Sequence, residues 1–384
     1  MRSAVSASIS CKGVGERSAV NILHLNSSIS SRSGVMRVLM NYHNEIVNMN
    51  TENVRIDYCY YAASPDSYED QIRNLGSSLR KISNPLNLYH FRRDLAEILV
   101  DYDIVHLHDP NLARLVYPTV KRMKSCQLIV HSHATAYSDK KLSAIRNRLL
   151  CANLPKYADA LFACSDAAGR FLFGKSPYCL IRNAIPVSDY AFNEIRRWSI
   201  RQQLGIEDNC LVIGHVGNFV KQKNHAFLIE AFEAMQRLEP NSRLLLVGNG
   251  PLMSMTREQI RGRGLENSVS ILGARNDVAD LYQAMDVFIL TSLYEGLPMV
   301  GVEAQAAGLP VLFSSRVTRE VEIAPSLFLD LEKGPEAWAH ALIDLAKLQR
   351  KSAQQTMDLF RSKGFDIKAE FPKLIEAYRF ILSR

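Results

Sequence analysis

The 384-residue sequence lacks several features that would place it in a special class of protein. No stretch approaches the roughly 18 uninterrupted apolar residues that indicate a membrane-spanning helix, and the polar, Ser-rich N-terminus lacks the apolar centre of a secretory signal. None of the seven cysteines belongs to a CxxC pair. We therefore expect neither a disulfide framework nor a zinc site, and a reducing, cytoplasmic compartment fits best.

The composition is that of an ordinary globular protein, with 47% hydrophobic and 22% charged residues. At roughly 100–200 residues per domain, the length predicts two domains. The net charge of +7 is uneven, because residues 1–190 hold 23 Lys/Arg against 16 Asp/Glu, whereas residues 191–384 hold 23 of each. This imbalance favours an anionic partner for the first half, such as a membrane surface, over nucleic acid, because no aromatic platform or nucleic-acid motif accompanies the charge. An ordinary solvated surface is the alternative.

Short apolar runs alternate with helical patterns along the chain, which predicts parallel strands joined by crossover helices. The predicted strands are 21–25, 54–61, 103–107, 127–132, 160–164, 210–217, 243–247, 269–272, 286–290 and 310–314. The predicted helices begin at Gly34 or occupy 193–205, 224–238, 277–285 and 298–307. The helix at 193–205 is predicted to be short and exposed.

A break in this pattern near 182–200 divides the chain into two doubly wound α/β domains. We predict a flexible tail at 1–20, a first domain at 21–190, a second at 191–365, and a C-terminal helix at 366–384. This helix packs back on the first domain or, as the alternative, across the second. In such folds the ligand lies outside the carboxyl ends of the strands.

The segment SLYEGLPMVGVEAQAAGLP, residues 292–310, holds the strongest chemical signal. Glu295 precedes a predicted helix, Glu303 lies more than one turn inside it, and Pro298 suits the first helical position. Free amides at a helix N-terminus bind anions, and carboxylates accept hydrogen bonds from sugar hydroxyls. The amides expected to be free are those of Gly296, Leu297 and Met299.

This segment resembles the Glu-x7-Glu signature of retaining glycosyltransferases of the GT-B fold, family GT4, and in particular transferases of bacterial exopolysaccharide and capsule clusters. The resemblance covers nearly the whole chain from about residue 21. It implies two Rossmann-like domains facing a central cleft, the first on the acceptor side and the second binding a nucleotide-sugar. It also implies no cofactor and no metal.

Several loops match donor-binding loops of that family. In GHVGNFVKQKNH, the Gly217 loop precedes Lys221 and Lys223, two ammonium groups suited to a pyrophosphate. Lys223 matches the family lysine that clamps the diphosphate, whereas Asn218 stands where the family has an arginine. The sequence leaves open whether this exchange weakens catalysis.

The resemblance assigns further contacts to loops that are less specific. Gly248 and Gly250 belong to a loop close to the donor, Arg275 to a loop over the nucleobase, and Gly34 to a loop near the diphosphate. A tight turn is the alternative for each glycine.

Two HxH pairs follow predicted strands. His133 resembles the family histidine near the transferred sugar, and a histidine bonded to backbone is the alternative. For the partner residue, His131, and for the pair His106 and His108 we expect structural roles. A metal site is not expected, because the two pairs end different strands and no cysteine or carboxylate cluster lies near them.

The stretch 140–157 carries Leu142, Ile145 and Leu149 at helical spacing, with basic residues nearby. We expect this amphipathic helix to face its own core. Contact with an anionic bilayer at the inner face of the cell membrane is the alternative.

Together these features and the resemblance predict a retaining glycosyltransferase that moves a sugar from a nucleotide-sugar donor, expected to be a UDP-sugar, to a glycan or lipid-linked glycan. In this prediction Lys223 holds the diphosphate, and Glu303 accepts hydrogen bonds from the ribose hydroxyls. Glu295 positions the transferred sugar, and His133 lies near that sugar. Two alternatives remain: a catalytically weak nucleotide-sugar-binding protein of the same fold, and a nucleotide-sugar epimerase. The sequence identifies neither the sugar nor the acceptor, the linkage or the oligomeric state.

Overall fold

The computed structural model describes residues 19–31, 33–51, 53–123, 125–137, 141–324 and 326–384. The tail predicted at 1–20 therefore lies almost entirely outside the described residues. The chain divides into two compact units. The first comprises the chain up to Ile181 together with Phe371–Arg384, and the second comprises Arg182–Glu370.

The first unit is built on a seven-stranded sheet in the order β3-β2-β1-β4-β5-β6-β7, and every pair of neighbouring strands is parallel. The strands are β1 (Val20–Asn26), β2 (Val54–Tyr60), β3 (Leu79–Lys81), β4 (Ile104–Leu107), β5 (Gln127–Ser132), β6 (Ala160–Ala163) and β7 (Cys179–Leu180). The helices between them are α1 (Gly34–Asn48), α2 (Glu69–Asn74), α3 (Leu88–Ile98), α4 (Ala113–Val120), α5 (Lys141–Leu150) and α6 (Asp166–Phe173).

The second unit repeats this plan with a six-stranded parallel sheet in the order β10-β9-β8-β11-β12-β13. Its helices and strands are α7 (Val187–Tyr190), α8 (Glu194–Gln203), β8 (Leu211–Val216), α9 (His225–Leu238), β9 (Ser242–Val247), α10 (Met253–Gly262), β10 (Val269–Gly273), α11 (Val278–Ala284), β11 (Val287–Leu290), α12 (Met299–Ala306), β12 (Val311–Ser314), β13 (Leu327–Leu329), α13 (Gly334–Ala346) and α14 (Ala353–Lys363). The last helix, α15 (Ile367–Leu382), begins in the second unit and lies mostly in the first. The α/β class with two doubly wound sheets is confirmed.

The boundary between the units differs from the one predicted between residues 190 and 191. β7, the last strand of the first sheet, ends at Leu180, and Ile185 already forms a bridge with Asp366 of the second unit. The chain returns to the first unit inside α15, where Phe371–Arg384 belongs to it. The first unit is therefore discontinuous in sequence.

Each sheet buries a core of its own. The central strands β1 and β4 contribute side chains that are completely buried, such as Leu23 and Val105, and β8, β9 and β11 do the same in the second unit. All six cysteines of the described ranges are free thiols. Within those ranges, no helix has both the length and the apolarity to cross a bilayer.

The expectation that the helix of residues 140–157 faces its own core is wrong. In α5 the side chains of Leu142, Ile145 and Leu149 are 84%, 60% and 67% exposed. They lie three and four residues apart, so they share one helix face, and Arg146 and Arg148 are exposed beside them. An apolar face with basic neighbours is thus turned to solvent.

Helix α8, predicted as an exposed helix, carries one side chain that is buried deeply. Arg201 is 1% exposed and its guanidinium donates to Asp286 Oδ2 at 2.7 Å. It also donates to the carbonyl oxygens of Ala284, Glu207, Asp208 and Cys210 at 3.0–3.1 Å. This one side chain ties α8, the loop before β8 and the loop before β11 together.

We expect Arg201→Ala to lower the free energy of unfolding by about 3 kcal/mol or more, because it removes a buried side chain that donates to four carbonyl oxygens at once. Asp286 loses one partner but keeps Arg197 and the amide of Val212. Chemical denaturation followed by circular dichroism measures the change. Lys347→Ala removes an exposed ion pair with Asp344 and serves as the control, with an expected effect within about 1 kcal/mol. Equal effects of the two variants would contradict this role for Arg201.

Candidate active site

The strand order of the second sheet places β8 beside β11, with β9 and β10 on one side and β12 and β13 on the other. The strand order reverses between β8 and β11, and parallel sheets of this type bind ligands at that point, outside the carboxyl ends of the strands. The loop after β8 contains Lys223, and the loop after β11 contains Glu295. Two predicted site residues therefore flank the expected position of a ligand.

Lys223 and Glu295 form an ion pair between Nζ and Oε1. Their side chains are only 13% and 10% exposed, so water screens the pair little. The same Oε1 accepts a hydrogen bond from Ser292 Oγ at 3.0 Å. The sequence predicted both residues for the site but not their pairing.

The two loops that carry this pair are bonded to each other through the backbone. Leu293 N donates to Gln222 O at 2.8 Å, and Gln222 Nε2 donates to Tyr294 O at 2.9 Å. The hydroxyl of Thr291, the residue after β11, donates to Lys223 O at 3.0 Å. The backbones on both sides of the ion pair are therefore fixed to each other by hydrogen bonds.

Gly248 and Gly250 form a second loop beside the loop after β8. Both have a positive φ, of 143° and 159°. A Cβ at Gly248 would lie 2.1 Å from Gly217 O, and one at Gly250 would lie 2.6 Å from Phe219 O. Glycine is thus required here because this loop lies close to the neighbouring loop. The sequence had predicted a close approach to a ligand instead.

Glu303 lies in α12 and is completely buried. Its Oε2 accepts a hydrogen bond from the Tyr282 hydroxyl at 3.1 Å. Pro298 was predicted to be the first residue of the helix, but it is the residue before α12. No side chain caps the N-terminus of this helix. Of the residues predicted to offer amides here, Gly296 is exposed, Leu297 is half-buried and Met299 is buried.

Three polar residues predicted for the donor site lie on exposed loops. Asn218 and Lys221 are exposed next to the Lys223 turn. Arg275 is exposed too, but its Nε donates to Asp277 Oδ1 at 2.7 Å, and its Nη2 pairs with Oδ2. Arg275 is therefore bound to its own loop, which the sequence did not predict.

In the first unit, Gly34 begins α1, as predicted, and is exposed beside the capping residue Ser33. A Cβ at Gly34 would meet no atom within 4 Å. Nothing in the local packing therefore demands glycine at this position.

Five histidines meet at the carboxyl ends of the neighbouring strands β1, β4 and β5. They are His24, His106, His108, His131 and His133. The two HxH pairs do end separate strands, as predicted. These strands, β4 and β5, are neighbours in the sheet, so the two pairs lie next to each other. His24, which sequence reasoning missed, joins them because β1 is the other neighbour of β4.

Hydrogen bonds link these rings in two chains. His24 Nδ1 lies 2.8 Å from His108 Nε2, and His108 Nδ1 lies 2.9 Å from His133 Nε2. The second chain runs from the Tyr378 hydroxyl to His106 Nδ1 at 2.7 Å and from His106 Nε2 to His131 Nδ1 at 3.1 Å. His131 thus has a structural role, as predicted, and its hydrogen-bond partner is another histidine.

Burial keeps these rings neutral. It lowers the pKa of His133 to about 3 and that of His24 to about 3, because the charged imidazolium loses its hydration. His133 keeps part of its surface exposed, so it is the member of the cluster that a ligand can reach.

Two more buried histidines support the Lys223 turn in the second unit. His215 Nδ1 donates to Ile289 O at 2.9 Å, and the ring of His225 stacks on Phe219. Within the described residues, His215 Nε2 and both nitrogens of His225 have no hydrogen-bond partner. Burial, together with the charge of Lys223, lowers the pKa of His225 to about 4, and burial also lowers the pKa of His215.

Comparison with known proteins gives matches to two family models. Residues 196–357 match the profile of the family "Glycosyl transferases group 1", and residues 32–189 match that of "Glycosyltransferase Family 4". The putative glycosyltransferase EpsF of Bacillus subtilis is 30% identical over 375 residues, which cover 93% of this chain and 96% of EpsF.

A second relative covers a shorter part. The UDP-Gal:alpha-D-GlcNAc-diphosphoundecaprenol alpha-1,3-galactosyltransferase of Escherichia coli is 28% identical over 56% of this chain and 58% of its own length. Among solved structures, Anabaena Alr3699/HepE in complex with UDP and glucose has a TM-score of 0.75 and 20% identity, covering 93% of this chain and 98% of HepE. At that identity the likeness shows the fold alone.

We expect the free energy of unfolding to fall as the pH decreases from about 6.5 toward 4. Unfolded histidines take up protons with a pKa near 6.5, whereas folded His225 does so only near 4, so the unfolded state binds more protons in this window. His225→Leu should reduce the slope by up to about 1 kcal/mol per pH unit. Urea unfolding at several pH values tests this, and an unchanged slope in the variant would contradict it.

Proposed function

The chain belongs to the family 4 glycosyltransferases of the GT-B fold, and we propose that it is a retaining enzyme that moves a hexose from a UDP-sugar to a hydroxyl of a glycan or lipid-linked glycan. Two neighbours support the donor and the acceptor. HepE is described with UDP and glucose, and the Escherichia coli relative by a UDP-galactose donor and a diphosphoundecaprenol acceptor. Polysaccharide biosynthesis is the setting we propose.

The ion pair of Lys223 and Glu295 is the observation that carries this proposal. A lysine ammonium has three donor hydrogens, so Lys223 can keep Glu295 as one partner and still donate to diphosphate oxygens. The negative charge on those oxygens grows as the sugar–phosphate bond breaks. A cation that is already in place stabilises this charge without reorganisation.

The other site residues take the roles that the family resemblance implies. Glu295 positions the sugar, and Glu303 accepts hydrogen bonds from the ribose, for which its completely buried carboxylate has to become accessible. The neutral His133 donates to or accepts from the sugar. The acceptor hydroxyl attacks on the face that the diphosphate leaves, and the leaving phosphate takes up its proton. Transfer needs no metal in this scheme.

This proposal places Asn218 where relatives have an arginine that grips the diphosphate. An amide lacks the charge and the bidentate geometry of a guanidinium. Lys223 therefore contributes the larger part of the diphosphate contact here. The exposed Lys221 is the nearest further cation in the same turn.

We expect Lys223→Ala to reduce turnover by on the order of 100-fold or more, the effect of removing a group that stabilises transition-state charge. Release of UDP from a panel of UDP-sugars, with a lipid-linked or soluble glycan acceptor and EDTA present, measures the rate. Lys333→Ala changes an exposed lysine far along the chain and is the matched control, with full activity expected.

The same assay separates the alternatives. Binding of UDP-sugar without any UDP release would favour a binding protein that has lost catalysis. Conversion of the donor without an acceptor would favour an epimerase. Full turnover of Lys223→Ala would overturn the assignment of Lys223, and activity that is lost in EDTA would overturn the metal-independent scheme.

The exposed face of α5 supports contact with a bilayer at the inner face of the cell membrane. Leu142, Ile145 and Leu149 would bury their side chains among acyl chains, and Arg146 and Arg148 would lie near anionic headgroups. Each basic residue close to such a surface contributes about 1 kcal/mol. An enzyme with a lipid-linked acceptor needs such proximity.

We expect the double variant Leu142→Glu/Ile145→Glu to bind vesicles of phosphatidylglycerol at least roughly tenfold more weakly, because it removes the apolar contact and adds repulsion. Co-sedimentation measures the binding, which should also weaken with salt. Ile195→Glu, on the exposed surface of α8, is the control. Equal binding of the double variant and the wild type would contradict this contact.

A further inference from the structure

The histidine cluster of the first unit contains a set of nitrogen donors arranged for a metal. One ring nitrogen from each of His108, His131 and His133 can be chosen so that all three atoms lie within 4.8 Å of one another. Imidazole nitrogens suit Zn²⁺, Cu²⁺ and Ni²⁺, whereas Mg²⁺ and Ca²⁺ require oxygen ligands. The chemistry of this donor set selects a transition metal.

An unpartnered nitrogen points to a ligand as well. His131 is 3% exposed, and its Nε2 is buried with no hydrogen-bond partner among the described residues. Its other nitrogen, Nδ1, is bonded to His106, which in turn is bonded to Tyr378. A metal-binding histidine typically has its far nitrogen fixed in this way, and the orphaned Nε2 is then the atom left for the metal.

His108 has the same kind of support. Its Nε2 is bonded to His24 Nδ1, which leaves Nδ1 for the metal, 2.9 Å from His133 Nε2. With the proton of each ring on the far nitrogen, all three near nitrogens offer lone pairs.

We propose that His108, His131 and His133 bind one divalent transition metal ion of the Zn²⁺ type. Zn–N distances of about 2.0–2.1 Å at tetrahedral angles separate ligand nitrogens by roughly 3.3 Å, so the His108 and His133 rings move apart by a few tenths of an ångström. His133 is the exposed member of the set, and the fourth position opens on its side. The site shares His133 with the proposed sugar contact, for which the other ring nitrogen of His133 stays available, and the transfer itself does not need the ion.

The test uses the full chain without an affinity tag, stripped of metal with EDTA and then dialysed free of the chelator. Titration with Co²⁺ should give one bound ion per chain with the visible absorption of tetrahedral cobalt, and Zn²⁺ should displace it. Zn²⁺ should also raise the melting temperature.

Three variants define the site. His133→Ala should weaken binding by at least about 100-fold, and Tyr378→Phe, which removes the partner of His106 but keeps the ring, by about 10- to 100-fold. His340→Ala changes an exposed histidine of the second unit and should bind as the wild type does. Because His133 is partly exposed, its variant should keep the fold, which circular dichroism checks.

Two results would overturn the proposal. The first is the absence of a tetrahedral cobalt spectrum when the metal is in moderate excess. The second is binding that His133→Ala leaves unchanged or that His340→Ala removes, since either outcome would place the metal elsewhere. A purely hydrogen-bonded histidine cluster predicts the first of these results.

Discussion

One ion pair between two loops positions the charged groups of the predicted site in the second unit. Lys223 and Glu295 are separated by 72 residues, and they meet because β8 and β11 are neighbours at the point where the strand order reverses. Neither charge has much access to water, so each depends on the other. The hydrogen bonds between the two loops keep both backbones in place, and Gly248 and Gly250 allow a third loop to approach them closely. A cation is therefore positioned before any ligand arrives.

Much of the fold could be predicted from the sequence. Strands such as β1, β4, β8 and β9 are largely apolar, buried segments of four to seven residues. Segments of this kind can be recognised in a sequence as strands. The strands β3, β7 and β13 have two or three residues at sheet edges and give no comparable signal. The buried contacts of Arg201 were missed for another reason, because a charged residue on a polar helix looks exposed until its partners are known.

The site could be predicted only as a set of separate residues. The motif around Glu295 and the lysine turn identified the loops, but pairing between loops depends on which strands are neighbours. The same limit explains the histidines, since His24, His106 and His131 are far apart in sequence and meet through strand order alone. The usual order of such sheets, with the first strand beside the fourth, could have found this cluster. The burial of Glu303 and the link between Arg275 and Asp277 had no sequence signal.

The discontinuity of the first unit has a consequence for how the chain acquires its structure during synthesis. Leu374, Ile375 and Tyr378 are buried parts of that unit, yet they are synthesised after the whole of the second unit. The second unit, by contrast, is a single continuous segment. It can complete its core before α15 has been completed, whereas the first unit lacks the tyrosine partner of His106 until then. The first unit therefore completes its core after the second, although most of its residues precede it in the sequence.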